Sequence, residues 1–326
     1  MKIAFLTRQY TSACSVFYAT ALNKMDADIS FYTHIPKDEP IWKEFNIVLV
    51  MTYDHELCKH IKGSMREDAK LGIIDPRGSN VCESLKYCDF IVIDSIEMED
   101  FWRSENKPIF RYAEYPDIGY ENKLHTDKDQ LTIGYHGNTL HLNEMANTIT
   151  PALKNLSKKF NLKLLVMYNG QKPTGKEPWF VNSIETEHIP WSMENYKNAL
   201  SKSDIGIVPN NLIVSQKQYA MINKNKNPDN YLLSFKMPSN PGRFITFGQL
   251  GIPVVADFFP SAIQYLQSDI GLIANSSSGW EYCLESLIKS KELRQLHGDN
   301  LQKLVKNKFD FKIQNKNFKK FLLGLS

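Results

Sequence analysis

The sequence predicts an α/β protein made of two doubly wound domains, each a parallel sheet with helices on its faces. Three observations carry this expectation. Strand-like and helix-like stretches alternate without interruption from Lys2 to Ala113. The periodicity then fades through the polar stretch PDIGYENKLHTDKDQ at 116–130, and a second alternation opens at Leu131 and continues to Lys308. Such alternation argues for parallel sheets whose ligands bind beyond the carboxyl ends of the strands. A chain of 326 residues also exceeds one typical domain, and 42% hydrophobic with 23% charged residues is ordinary for a globular protein. The expected domains are 1–120 and 121–308.

In the first domain the expected order is strand Lys2–Thr7, helix Thr11–Lys24, strand Ile29–His34, strand Asn46–Thr52 and helix His55–Gly63. Strand Lys70–Asp75, helix Ser79–Tyr87, strand Phe90–Asp94, helix Met98–Ser104 and strand Pro108–Ala113 follow. The strands are short runs of Ile, Val, Leu and Phe, as burial on both faces requires. Residues just past them are placed to meet a ligand: Arg8, Asp54, Asp75, Arg77, Asp94 and Glu114. No G-x-G-x-x-G follows the first strand, where the chain reads RQYTSA instead, so a dinucleotide cofactor is not expected. Asp54 suits two jobs, a carboxylate that takes a proton or the N-cap of the helix beginning at His55.

The second domain opens with strand Leu131–Tyr135, the turn His136-Gly137-Asn138-Thr139 and a helix from His141 to Phe160. Strand Leu162–Tyr168, a Gly/Pro/Lys loop, strand Ile184–Pro190, helix Glu194–Ser201 and strand Ile205–Val208 come next. Asn210 to Lys236 is polar and rich in Asn and Lys, and a stretch of that length reads as a lid or an insertion. It runs into the most informative segment, KMPSNPGRFITFGQLGIPVVAD, from Lys236 to Asp257. Ser239, Asn240 and Pro241 supply start-of-helix chemistry, Phe244, Phe247 and Leu250 recur at helical spacing, and Gly251 stands where a helix stops. Ile252 to Ala256 then reads as a buried strand. Arg243 falls in the helix's first turn, where its fork and the backbone N–H groups face the same way and suit an anionic oxygen cluster such as a diphosphate. A short helix Ala262–Leu266, strand Gly271–Ala274 and helices Ser278–Ser290, Leu293–Lys308 and Phe309–Leu325 complete the pattern.

The Lys236–Asp257 string resembles the nucleotide-binding segment of GT-B glycosyltransferases, particularly the family-4-like enzymes (glycosyl transferases group 1). In those a polar turn, a basic residue, a short helix and G-x-P-V-V-A follow one another. I-G-Y-x-G-x-x-x-H from Ile133 and D-I-G-I-V-P from Asp204 are similar to two strands of the same enzymes' donor domain. One position departs: the Glu that usually stands five residues before the Gly, against the donor ribose, is Thr246 here. The resemblance implies two Rossmann-like domains facing a cleft, with a last helix, 309–326, packing back on the first. It implies transfer of a sugar from a nucleoside-diphosphate sugar to an acceptor hydroxyl in glycan or glycolipid assembly. The nucleotide sugar is then a co-substrate, and no cofactor is expected.

On that reading Arg243, Asn240, Gly242, Lys236 and Asn138 meet the donor phosphates, and Thr246 and Pro209 meet the ribose and base. Arg8 and Arg77 hold the acceptor, while Asp54 and His136 are the catalytic candidates. No D-x-D closes a strand, which points to a metal-independent reaction in which Arg243 and a helix N-terminus balance the diphosphate. Two other readings stay open: a sugar-nucleotide epimerase of the same fold, using paired carboxylates, and a non-catalytic nucleotide-sugar binder, which the Thr246 departure makes harder to dismiss.

Composition narrows the setting. Cys14, Cys58, Cys82, Cys88 and Cys283 are odd in number and form no C-x-x-C pair, so reduced, mostly buried thiols are expected. KIAFLT is only strand-length and no apolar run approaches a membrane span, so a cytoplasmic location is expected. A net charge of +3 with no recognition motif gives no reason to expect nucleic acid. The basic stretch Lys303–Lys320, KLVKNKFDFKIQNKNFKK, reads as a solvated helix face or as a weak peripheral hold on anionic headgroups at the inner face of the membrane.

Overall fold

Short runs of branched residues become inner strands buried on both faces, flanked by half-buried edge strands, and each run of strands closes into one parallel sheet. The computed structural model describes residues 1–7, 13–34, 41–52, 54–76, 81–210, 240–267 and 269–325. One unit is built on Met1–Asp117 and Asp310–Ser326, the other on Ile118–Ile213 and Pro241–Phe309.

The first unit runs β1 (Lys2–Thr7), α1 (Ala13–Leu22), β2 (Asp28–Tyr32), β3 (Ile47–Met51), α2 (His55–Ser64), β4 (Lys70–Ile74), α3 (Val81–Leu85), β5 (Phe90–Ile93), α4 (Ile96–Trp102) and β6 (Ile109–Arg111). The sheet order is β2-β1-β3-β4-β5-β6, and every pair is parallel. Because β2 lies on one side of β1 and β3 on the other, the order reverses between β1 and β3. Val48, Val50, Leu71, Ile73, Ile91 and Ile93 pack one face of the sheet against Cys58 and Ile61 of α2 and Met98 and Trp102 of α4.

The last helix, α12 (Phe311–Leu323), belongs to this unit. Its buried face sets Phe318 5.0 Å from Phe110, centroid to centroid, and stacks Phe311 on Tyr115 at 4.4 Å. Two buried amides fix its register. The Gln314 side-chain oxygen accepts from Ala113 N at 2.7 Å, and Asn315 accepts from the Tyr112 hydroxyl at 2.7 Å while donating to Ala21 O at 2.9 Å.

The second unit runs β7 (Leu131–Asn138), α5 (Thr139–Glu144), α6 (Ile149–Leu156), β8 (Leu162–Asn169), β9 (Glu185–Pro190), α7 (Tyr196–Leu200), β10 (Ile205–Val208), α8 (Gly242–Gln249), β11 (Val254–Ala256), α9 (Pro260–Tyr265), β12 (Leu272–Ile273), α10 (Ser277–Lys289) and α11 (Lys291–Lys308). Its sheet order, β12-β11-β10-β7-β8-β9, is again all parallel and is that of a dinucleotide-binding fold, with the reversal between β7 and β10. α8 starts directly after Pro241 and stops at Gly251, whose φ of 65° only a glycine adopts without strain.

The single helix expected over His141–Phe160 is two, α5 and α6. Pro151 is the third residue of α6 and has no N–H to give to Asn147 O, and its ring clashes with a helical carbonyl at that position. The polar stretch after Asp117 is irregular but well held by the second unit. Glu121 N donates to Gln249 O at 2.9 Å, the His125 ring meets Gly251 O at 3.0 Å, and Lys128 pairs with Asp204 at 2.6 Å. Polarity here reflects a hydrogen-bonded strap and not a solvated linker.

Arg294 fastens that strap. Only 1% exposed, it donates to Leu287 O at 2.7 Å and Ile288 O at 3.1 Å, the last carbonyls of α10, and to Thr126 O at 2.7 Å. Arg294→Met keeps the apolar stem but strips these carbonyls of their donors. A loss on the order of 2–3 kcal/mol is expected in urea unfolding, and a change below about 0.5 kcal/mol would count against the fastening role.

Candidate functional site

The second unit gathers its polar side chains where its sheet order reverses. β7 ends at His136-Gly137-Asn138, β10 runs into Pro209-Asn210, and α8 begins between Pro241 and Arg243. Arg243 points its guanidinium at the end of β10, donating from Nη1 to Pro209 O at 2.7 Å and from Nη2 to the Asn210 side-chain oxygen at 3.1 Å. Asn210 is held in turn, because its backbone N–H donates to Oδ2 of the buried Asp257. The other Asp257 oxygen accepts from Trp280 Nε1 at 3.1 Å. A line of hydrogen bonds therefore runs from α10 through the end of β11 to the arginine.

Gly137 lets the turn after β7 lie against the arginine stem. Its φ is 149°, and a Cβ there would stand 2.8 Å from the Tyr135 hydroxyl oxygen and 3.6 Å from Arg243 Cδ. Pro241 has no side-chain oxygen with which to cap α8, and no side-chain cap forms at that position. Ser239, the first residue of the expected capping turn, lies outside the described residues. Asn240 and Gly242 flank Pro241 directly.

His136, a catalytic candidate from sequence, has partners at both ring nitrogens. Its Nε2 lies 3.1 Å from Arg243 O and its Nδ1 lies 2.6 Å from the Tyr196 hydroxyl. A carbonyl oxygen only accepts, so Nε2 carries the proton and Nδ1 accepts from the tyrosine. The ring is 4% exposed and edge-on to Phe247 at 5.0 Å. Burial drives its pKa down to about 3, with Arg243's positive charge acting the same way, and the bond to Arg243 O opposes both only in part. The ring is thus neutral near pH 7 with both nitrogens engaged. His136 braces the first turn of α8.

Thr246 is fully buried and donates to Gly242 O at 2.8 Å within its own helix. Pro209 contributes its carbonyl to Arg243, and Asn138, exposed at the end of β7, accepts through its backbone oxygen from the Tyr135 hydroxyl at 2.9 Å. Lys236 and the rest of the expected lid beyond Asn210 lie outside the described residues, as do Arg8 and Arg77.

In the first unit Asp54 is the N-cap of α2, accepting from Leu57 N at 3.2 Å. The capping reading is thus the one the geometry displays. At other strand ends, one oxygen each from the buried Asp75, Asp94 and Glu114 come within 4.8 Å of one another. Asp75 takes a φ of 48° to reach that place. Burial first, then these three carboxylates, hold the Tyr18 phenol well above its ordinary pKa. Thr7 and Ser15 pair their hydroxyls at 3.0 Å beside the point where this sheet reverses. Asn210, Asp257, Tyr196 and Trp280 were not singled out from sequence, although Asp257 directly follows an apolar strand, the same signal that picked out Asp75 and Asp94.

No protein-family model and no curated protein matches the chain in sequence. Solved structures do match. Anabaena HepE in complex with UDP and glucose superposes with a TM-score of 0.63 at 12% identity, over 99% of this chain and 100% of that one. A glycosyltransferase from Rickettsia africae ESF-5 gives 0.64 at 12% identity, over 99% and 98%. The S. aureus MnaA–UDP structure gives 0.56 at 11% identity, over 100% and 97%. The likeness establishes the fold as GT-B, two Rossmann-like α/β units, as the resemblance implies.

Two tests follow from the geometry. An unfolded histidine titrates near 6.5 and folded His136 near 3, so below neutrality the unfolded chain binds the proton first. Stability is therefore full above about pH 6.5 and falls as the pH drops toward 3, by up to about 1.4 kcal/mol per unit from this residue. Urea unfolding between pH 7.5 and 5 should show that fall, reduced by close to one proton in His136→Gln. At Asp54, Asn remains a good cap, so Asp54→Asn should melt like wild type while Asp54→Ala loses about 0.5–2 kcal/mol.

Proposed function

We propose that the protein is a glycosyltransferase that moves a sugar from a nucleoside-diphosphate sugar to an acceptor hydroxyl in glycan or glycolipid assembly. The observation that carries this reading is the placing of Arg243. A guanidinium oriented by two strand-end acceptors, in the first turn of an eight-residue helix, faces anions with a fixed fork and a helix dipole acting together. In such a reaction the bond from the anomeric carbon to the diphosphate oxygen breaks, the acceptor oxygen bonds to that carbon, and the hydroxyl proton passes to a base or to the departing diphosphate. The departing diphosphate gains charge, and preformed positive groups stabilise it without reorganising.

In this proposal Arg243, the start of α8 and the Gly137-Asn138 turn take the diphosphate, with Asn240, Gly242 and Lys236 around it. Balancing the charge this way needs no metal. The UDP and UDP-glucose complexes of HepE make UDP the first nucleotide to try. The acceptor meets the first unit, where Arg8 and Arg77 follow strands, and the work is done in the cytoplasm at the inner face of a membrane.

Calorimetric titration with UDP tests the phosphate assignment. Arg243→Ala should weaken binding by about 1.5–3 kcal/mol, the scale of a charge-assisted contact, and should also lower the thermal midpoint, because Pro209 O and the Asn210 side chain lose their donor. Unchanged affinity in that variant would show that the diphosphate lies elsewhere.

A further inference from the structure

The chain's positive charge is segregated. Residues 303–326 hold seven lysines and one aspartate, a net +6, whereas the whole chain is +3, so the preceding residues sum to −3. The structure divides these lysines. Lys306 and Lys308 lie over the rings of Tyr120 and Tyr265, at 5.0 and 5.6 Å, and Lys306 also donates to Gln302. Lys319 is bound to Asp26 at 2.6 Å. On α12, Lys312, Lys316 and Lys320 are exposed, and no ion pair reaches them among the described residues.

At 100° per residue these three lie within about 80° of arc, and Leu323 falls inside the same arc. Leu323 is 58% exposed, although its helix buries Phe311, Phe318 and Leu322 on the opposite side. The outer face of α12 is thus a row of long cations around an exposed leucine, mounted on a helix that Gln314 and Asn315 hold firmly in place.

We propose that this face of α12 docks the protein on an anionic lipid bilayer. A peptide or nucleic-acid groove would need shape, whereas a convex row of lysines fits a flat field of headgroups. Each lysine near such a surface is worth roughly fivefold in partitioning, and the apolar side chain enters the headgroup boundary. Three lysines give reversible binding that fades with salt, because the attraction extends only a Debye length. This deepens the membrane part of the proposed function by naming its surface. Vesicle binding needs neither nucleotide nor turnover, so the two readings can fail separately.

Cosedimentation with vesicles of phosphatidylcholine containing about one-third phosphatidylglycerol tests it, with pure phosphatidylcholine as the neutral arm. Wild type should bind the anionic vesicles and not the neutral ones, and should release as salt rises from about 0.1 to 0.5 M. Lys312→Gln/Lys316→Gln/Lys320→Gln should bind about 100-fold more weakly with an unchanged melting curve. Lys154→Gln/Lys172→Gln/Lys176→Gln, equal in net charge and exposed on the second unit, should bind like wild type. Should the first triple variant not fold, Lys316→Gln alone is expected to lose about fivefold. Equal binding to both vesicle types, equal loss in the two triple variants, or wild-type binding by the α12 variant would overturn the proposal.

Discussion

Everything around the candidate site hangs on how the first turn of α8 is held. From one side His136 donates to Arg243 O and is itself fixed by Tyr196. From the other, the Arg243 side chain reaches Pro209 and Asn210, Asn210 leans on Asp257, and Asp257 is held by Trp280. Most of these groups are buried, and a buried donor or acceptor left without its partner costs about 1–3 kcal/mol. No member can therefore turn away alone. The chain of bonds makes the guanidinium's direction a property of three strand ends and two helices and not of a mobile surface side chain.

The two sheets share a plan and differ in what they place past their strands. In the second unit the reversal point carries a guanidinium and a helix start. In the first, the strand ends beyond β4, β5 and β6 carry three buried carboxylates close together. An anion is drawn to the former, whereas the latter presents only carboxyl oxygens. That division of charge gives the nucleotide diphosphate one natural seat in the proposed reaction. Across the protein the same economy recurs, since Arg294 and the amides of Gln314 and Asn315 each satisfy several backbone groups from one buried side chain.

Much of the frame was legible because it is local. Runs such as IVLV and IGIV can only be strands buried on both faces, Gly251 ends α8 in a conformation that suits glycine, and the place of Arg243 after Pro241 puts it in a first turn. The break in the helix expected over 141–160 is local too, because Pro151 has no N–H for a helical bond to Asn147 O. Asp54 was readable both ways, and its bond to Leu57 N displays the capping one.

The hydrogen bonds of the candidate site depend on partners far along the chain. His136 stands at a strand end and next to a glycine turn, which is as suitable for a catalytic residue as for a brace. Only the arrival of Tyr196 and Arg243, 60 and 107 residues away, fills both ring nitrogens. Thr246 occupies the position of a ligand-binding residue in the resembling enzymes, yet its short side chain finds Gly242 O in its own helix. The sequence by itself determined the two alternations, the parallel sheets and the residue at the head of α8, because hydrophobic period and backbone chemistry act over a few residues. Tertiary structure alone decided which polar groups face outward, because a side chain's hydrogen bonds are settled by whatever the fold brings beside it.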